Sequence, residues 1–163
     1  MRSLFLAALF ALSVSPASAA TPPPRDNATP QGGFAAELPE IEGVVSWKTL
    51  ARVGEVKMND RLLHKFSAEV AALDNKEIKL QGFMLPLEAG RRQKHFLLSA
   101  NVPSCPFCLP GGPDSLIEVH CKEAIEFSME PIVISGKLSV LKDDPTGLWY
   151  RVHEATLVSR ARQ

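Results

Sequence analysis

From residue 76 to about residue 152 the apolar positions recur every second residue, a period that fits half-buried strands and not helices. Ile78 and Leu80 alternate with Lys79 and Gln81, and after the charged turn at Gly90, Arg91 and Arg92 a second strand continues through Phe96 and Leu98. Ile117, Val119 and Cys121 alternate with Glu118 and His120 in a third. Ile132, Ile134, Gly136, Leu138 and Val140 line one face of a fourth. Leu148, Tyr150 and Val152 line a fifth, reached through the turn-rich residues 143–147. So few strands leave a large share of edge unless the sheet closes on itself, and Gly82 and Gly136 supply the bends that closure needs. The expectation is a mainly β domain, a small five-stranded OB-like barrel preceded by short helices, with an open sheet or sandwich as the alternative.

Upstream of the alternation the pattern is mixed. Ser46 has the character of an N-cap for a short helix through Trp47, Leu50 and Ala51 that Gly54 would close. Val56, Lys57 and Met58 make a brief strand. Phe66, Val70 and Leu73 are spaced for a helix over 64–73, and Asp74-Asn75 for the turn after it.

The first twenty residues have another purpose. Arg2, an uncharged apolar run over 4–14, and Ala17-Ser18-Ala19 have the form of a cleaved signal peptide ending at Ala19 or Ala20. The apolar run is too short to span a bilayer, and no later stretch does so, which implies a soluble protein of the bacterial periplasm. Residues 21–45 begin with proline, glycine and small polar side chains and read as a flexible tether, which leaves 46–160 for the barrel domain. Cleavage removes Arg2 and no acid, so 18 basic and 18 acidic residues become 17 and 18, a net charge of −1. Such a balance offers no broad basic face for nucleic acid.

The conspicuous motif is Cys105-Pro106-Phe107-Cys108, followed by Leu109-Pro110-Gly111-Gly112-Pro113, on the connection between the second and third strands. A thioredoxin-type dithiol sits at a helix start, whose dipole stabilises the thiolate, and the prolines and glycines that follow here forbid that helix. Two other readings stand. In a metal knuckle, paired cysteines on a tight turn hold an ion, and Cys121 serves as third ligand in preference to His120, because sulfur suits zinc. In the other, Cys105 and Cys108 form a disulfide that staples the loop. Cys121 lies on the face of Ile117 and Val119, which also suits a small core side chain, and His120 lies with Glu118 and Lys122 on the opposite face. His64, His95 and His153 are scattered singly and read as structural or exposed. Trp47, Trp149 and Tyr150 read as packing residues. There is no nucleophile elbow, phosphate loop or paired-carboxylate signature, and an enzyme is not expected.

The strings Gln81-Gly82-Phe83-Met84-Leu85-Pro86-Leu87, His95-Phe96-Leu97-Leu98 and Cys105 through Pro113, with Met129-Glu130-Pro131-Ile132-Val133 and Leu148-Trp149-Tyr150-Arg151-Val152 later, resemble the exported bacterial family catalogued as domain of unknown function 3299. The resemblance covers roughly 46–158 and implies a periplasmic OB-like domain. Relatives look like companions of envelope ABC transporters and of zinc-responsive genes, which implies zinc as the metal and an ABC transporter or metal-handling protein as partner. Cys105 and Cys108 belong to the family motif, whereas Cys121 is an addition to it.

Together these readings describe a periplasmic accessory protein that binds or hands on zinc through Cys105, Cys108 and Cys121. The alternative is an envelope partner-binding module with a stapled loop, and a thiol–disulfide oxidoreductase comes third. Because residues 21–33 contain almost nothing that can pack, deleting them should leave the melting temperature unchanged. A fall of several degrees in a thermal melt would make that stretch part of the fold.

Overall fold

The computed structural model of the protein describes residues 38–58, 61–103 and 109–160; residues 1–20, expected to be a signal peptide, residues 21–33, Cys105 and Cys108 lie outside them. Of the described residues, 51% are strand and 8% helix.

Two short helices and a hairpin come first. Helix α1 (Trp47–Leu50) starts at Ser46, whose side chain accepts from the Lys48 amide. It ends at Ala51 and not at Gly54, which lies inside strand β1 (Val53–Met58). Strand β2 (Arg61–Phe66) returns antiparallel, with Val53 opposite Phe66. The helix expected over 64–73 is therefore shortened to α2 (Ala68–Ala72). His64 and Phe66 are held by pairing to β1, and Ser67 caps the new helix by accepting from the Val70 amide. Phe66, Val70 and Leu73 still pack on the core, so the apolar spacing marked the right residues and the wrong element. Asn75 follows in the left-handed region at φ 60°, as the Asp74-Asn75 turn requires.

The remaining strands are β3 (Glu77–Pro86), β4 (Arg92–Ser99), β5 (Leu116–Glu126), β6 (Ile132–Val140) and β7 (Tyr150–Arg160). They form a closed barrel in the order β3-β4-β5-β7-β6, with β6 returning to β3. Every pairing is antiparallel except β5 with β7, and this strand order with one parallel contact is that of an OB barrel. Closure leaves no unpaired edge among these five strands. The alternating apolar residues face inward, from Ile78 and Leu80 to Tyr150, Val152 and Ala155, except Leu148, which lies in the loop before β7 and not in the expected strand. Leu50 of α1 and Val70 of α2 join the same core, both fully buried. Tyr150, also fully buried, donates its hydroxyl to the Leu50 carbonyl over 2.6 Å and ties α1 to β7. The packed part begins before Ser46, since the Val45 amide donates to the Lys79 carbonyl of β3.

Both glycines expected at bends lie where a neighbouring strand comes too close for a side chain. A Cβ on Gly82 would stand 2.7 Å from Leu98 Cγ and from the Ser99 carbonyl oxygen. On Gly136 it would stand 2.6 Å from Val152 Cγ1 and 2.8 Å from the His153 carbonyl oxygen. The second approach matters more, because opposite it β7 carries an extra residue. Ser135 faces Thr156 while Lys137 faces His153, two steps against three. Gly136→Ala must push β7 outward at that bulge and should cost about 1–3 kcal/mol. Urea unfolding checks this; a stability equal to wild type would mean that β7 yields freely there.

Candidate functional site

The outer wall of the barrel carries two short rows of polar side chains that run across strands. In the first, His95 of β4 lies opposite His120 of β5, and on the far side His153 of β7 lies opposite Lys137 of β6. In the second, Glu118 of β5 lies opposite Arg151 of β7. All of these are the polar partners in the alternation whose apolar members fill the core.

A bulge in β7 lies just past the first row. Val119 pairs with Val152, yet Cys121 pairs with Ala155, so β7 spends one residue more than β5. Glu154 absorbs it in the left-handed region at φ 53°, and its carboxylate lies 3.7 Å from Lys122 Nζ. His153 lies outside by its place after buried Val152, and the bulge returns Ala155 to the core, where it is fully buried.

The three imidazoles stack. The His95 and His120 centroids are 4.3 Å apart with planes 11° from parallel, and His120 and His153 are 5.9 Å apart at the same angle. Glu118 lies beneath the first pair. Its Oε1 is 2.8 Å from His95 Nε2 and 3.3 Å from His120 Nε2. Its Oε2 accepts from Arg151 Nε at 2.5 Å, and Arg151 Nη2 donates to Asp144 Oδ2 at 3.2 Å. Asp144 belongs to the β6–β7 loop and is itself held by the amide and hydroxyl of Thr146.

Burial pushes the Glu118 carboxyl up, but the hydrogen bonds from Arg151 and His95 and the charges of Arg151 and His120 outweigh it and hold it below the usual carboxylate range. Burial, with the charges of His120, Arg151 and Lys137, holds His153 below the ordinary imidazole value against the opposing pull of Glu118. Asp144 is held low by its hydrogen bonds from Thr146, with Arg151 adding to the effect. Glu118 is thus an anion, and Arg151 is clamped between two carboxylates.

His95 Nε2, Glu118 Oε1 and His120 Nε2 all lie within 4.8 Å of one another. Two imidazoles and a carboxylate are the donor set of open zinc sites. Adjacent ligands on a zinc tetrahedron stand about 3.3 Å apart, from bonds of about 2.0–2.1 Å. The His120–Glu118 edge already has that length, and the His95–Glu118 contact must open by roughly half an ångström. An ion must also lie in the plane of each ring that binds it, which two nearly parallel rings cannot both offer. One imidazole has to turn, and His120, whose side chain is 43% exposed, has the room.

Of the cysteines expected at the site, only Cys121 lies among the described residues. Cys121 is a free, buried thiol facing the core, and burial pushes it up to about 11, with the Lys94 charge opposing. A thiol that hard to ionise behaves as a small apolar side chain. Cys105 and Cys108 lie outside the described residues. His64 packs its ring on Trp149 at 5.0 Å, and Trp47 donates to the Gln81 carbonyl, so these are packing residues as expected. His95 and His153, read singly as structural or exposed, and His120, weighed against Cys121 as a third ligand, are instead neighbours. The available signal was their parity: each is an outward residue of a strand whose inward residues were identified.

Because the folded Glu118 carboxyl ionises more readily than an ordinary one, it stabilises the metal-free protein above the ordinary value of 4.5, and that contribution is lost as pH falls through its lowered folded value. Glu118→Gln should therefore lower stability at neutral pH, and its deficit should shrink below about pH 4.5. Denaturant unfolding at several pH values measures the gap. A gap that grows on acidification would mean a protonated carboxyl in the folded state.

Residues 39–149 match the family described as "Protein of unknown function (DUF3299)". No curated protein matches the chain. Among solved structures, a DUF3299 family protein from Pseudomonas aeruginosa PAO1 is similar at 23% identity and a TM-score of 0.47, over 56% of this chain and 65% of that one, so this chain spans about two thirds of that protein's length. The family match runs from before α1 to Trp149 and takes in His95, Glu118 and His120; the chain belongs to the DUF3299 family.

Proposed function

We propose that this protein is a periplasmic accessory protein that binds a transition metal, zinc foremost, on the outer face of β4 and β5 and holds it or hands it on without catalysing a reaction. The observation that carries the reading is the convergence of His95, Glu118 and His120, three donor atoms of metal-ligand type within 4.8 Å. Nitrogen and oxygen donors in a two-to-one ratio favour zinc and its neighbours over magnesium or calcium, which prefer all-oxygen shells. Three protein ligands leave a fourth position to solvent or to a partner's side chain, which suits transfer better than a closed structural site. The position fits as well, since β4 and β5 are the second and third strands of the barrel, the face on which OB domains bind their ligands. The signal-peptide pattern at 1–20 supports export, and an envelope ABC transporter or a metal-handling protein is the taker that the sequence resemblance implies.

Relative to the cysteine knuckle expected from the sequence, the proposal moves the metal to histidine and carboxylate donors. Zinc titration of the reduced protein, followed by calorimetry, separates the two. Wild type should bind about one zinc per chain, His95→Ala with His120→Ala should abolish binding, and Cys105→Ser with Cys108→Ser should leave it intact. Loss of binding only in the cysteine pair would return the site to the loop. No binding by wild type at high micromolar zinc would remove the metal reading.

A further inference from the structure

We infer that Arg151 sets which metals the site accepts, by occupying one oxygen of Glu118; the inference rests on the metal reading proposed above. A carboxylate can bind an ion through one oxygen or through both. Calcium and manganese favour carboxylate oxygens, and calcium takes them in pairs, whereas zinc is satisfied by one oxygen in a four-ligand shell. Here Oε2 of Glu118 is engaged by Arg151 Nε at 2.5 Å, and Oε1 alone faces His95 and His120.

That engagement is well supported. The Arg151 side chain is 24% exposed and Glu118 14% exposed, so water competes weakly for either. The second arm of the guanidinium is anchored to Asp144, which Thr146 fixes in the β6–β7 loop. A guanidinium does not deprotonate under working conditions, so Oε2 stays blocked wherever the protein is folded. Glu118 is thereby a one-oxygen ligand, and an ion that needs a bidentate carboxylate finds only two nitrogens and one oxygen.

A plain electrostatic role for Arg151 predicts something different. Removing a positive charge beside the site strengthens binding of every divalent cation by a similar factor and leaves their ratio unchanged. Freeing Oε2 raises the oxygen-seeking ions selectively. The ratio of manganese(II) to zinc affinity is therefore the readout, measured by competition on the full chain for wild type, Arg151→Leu and Arg151→Lys. In Arg151→Leu the ratio should move towards manganese by at least about tenfold, and in Arg151→Lys, which keeps a donor and the charge, it should stay near wild type. Equal strengthening of both ions in Arg151→Leu overturns the inference and leaves zinc binding standing. Absence of zinc binding in wild type removes the metal reading itself. If Arg151→Leu does not fold by circular dichroism, Asp144→Asn, which loosens Arg151 without removing its charge, decides the matter. A rise in the ratio there supports the inference, and an unchanged ratio overturns it.

Discussion

The parallel contact between β5 and β7 is the constraint on which the rest of the structure depends. Four of the five barrel pairings are antiparallel, and antiparallel neighbours can be joined by short turns. The pairing of β5 with β7 cannot, because two parallel neighbours need a crossover, and here β6 supplies it by passing back beside β3. Closure therefore depends on β7 arriving in register against β5 on one side and β6 on the other. The bulge at Glu154 reconciles the two registers, and Gly136 gives the bulged backbone room. Tyr150 then anchors the start of β7 from within, through its hydroxyl on the Leu50 carbonyl.

The same contact assembles the polar cluster on the outer wall. Glu118 and Arg151 are far apart in the chain and meet only because β5 and β7 are neighbours. A carboxylate that is 14% exposed is a poor way to stabilise a barrel wall. Desolvation opposes its charge, and the partners that outweigh the desolvation are themselves partly buried. An apolar pair at these positions would serve a purely structural sheet equally well. Two histidines stand against the one carboxylate oxygen that Arg151 leaves open.

Much of the barrel was legible in the sequence, because a strand with one buried face must alternate, and the alternation of Ile117, Val119 and Cys121 or of Ile132, Ile134 and Leu138 is local information. The helix expected over 64–73 failed for a related reason. Phe66, Val70 and Leu73 do face the core, but a strand ending at Phe66 followed by a helix from Ala68 presents the same three residues as one longer helix would. Apolar spacing does not distinguish the two when the segment is short. The candidate site was illegible for the opposite reason. His95 and His120 each look solvated, and their pairing depends on the register between β4 and β5, which slips between Gln93 and His95. His153 likewise faces outward by its place after Val152, but what it meets there depends on the parallel pairing of β7 with β5.

Strand β5 shows why Cys121 and the polar cluster lie on separate faces. Adjacent residues of a strand point to opposite faces, so Cys121 and His120 cannot serve one ion without a break between them. The register does shift near this point, but it leaves both side chains where the parity puts them. Cys121 is buried among Val119, Ile125 and Ala155, and His120 is stacked outside between His95 and His153. The sheet is one strand thick, yet its two faces differ in what they can ionise. Inside, burial lifts a thiol to about 11 and makes thiolate chemistry unfavourable. Outside, against the burial that opposes it, hydrogen bonds from Arg151 and His95 keep a carboxyl charged below its ordinary range. The side chains able to donate to a cation therefore lie together on the outer face of β4 and β5.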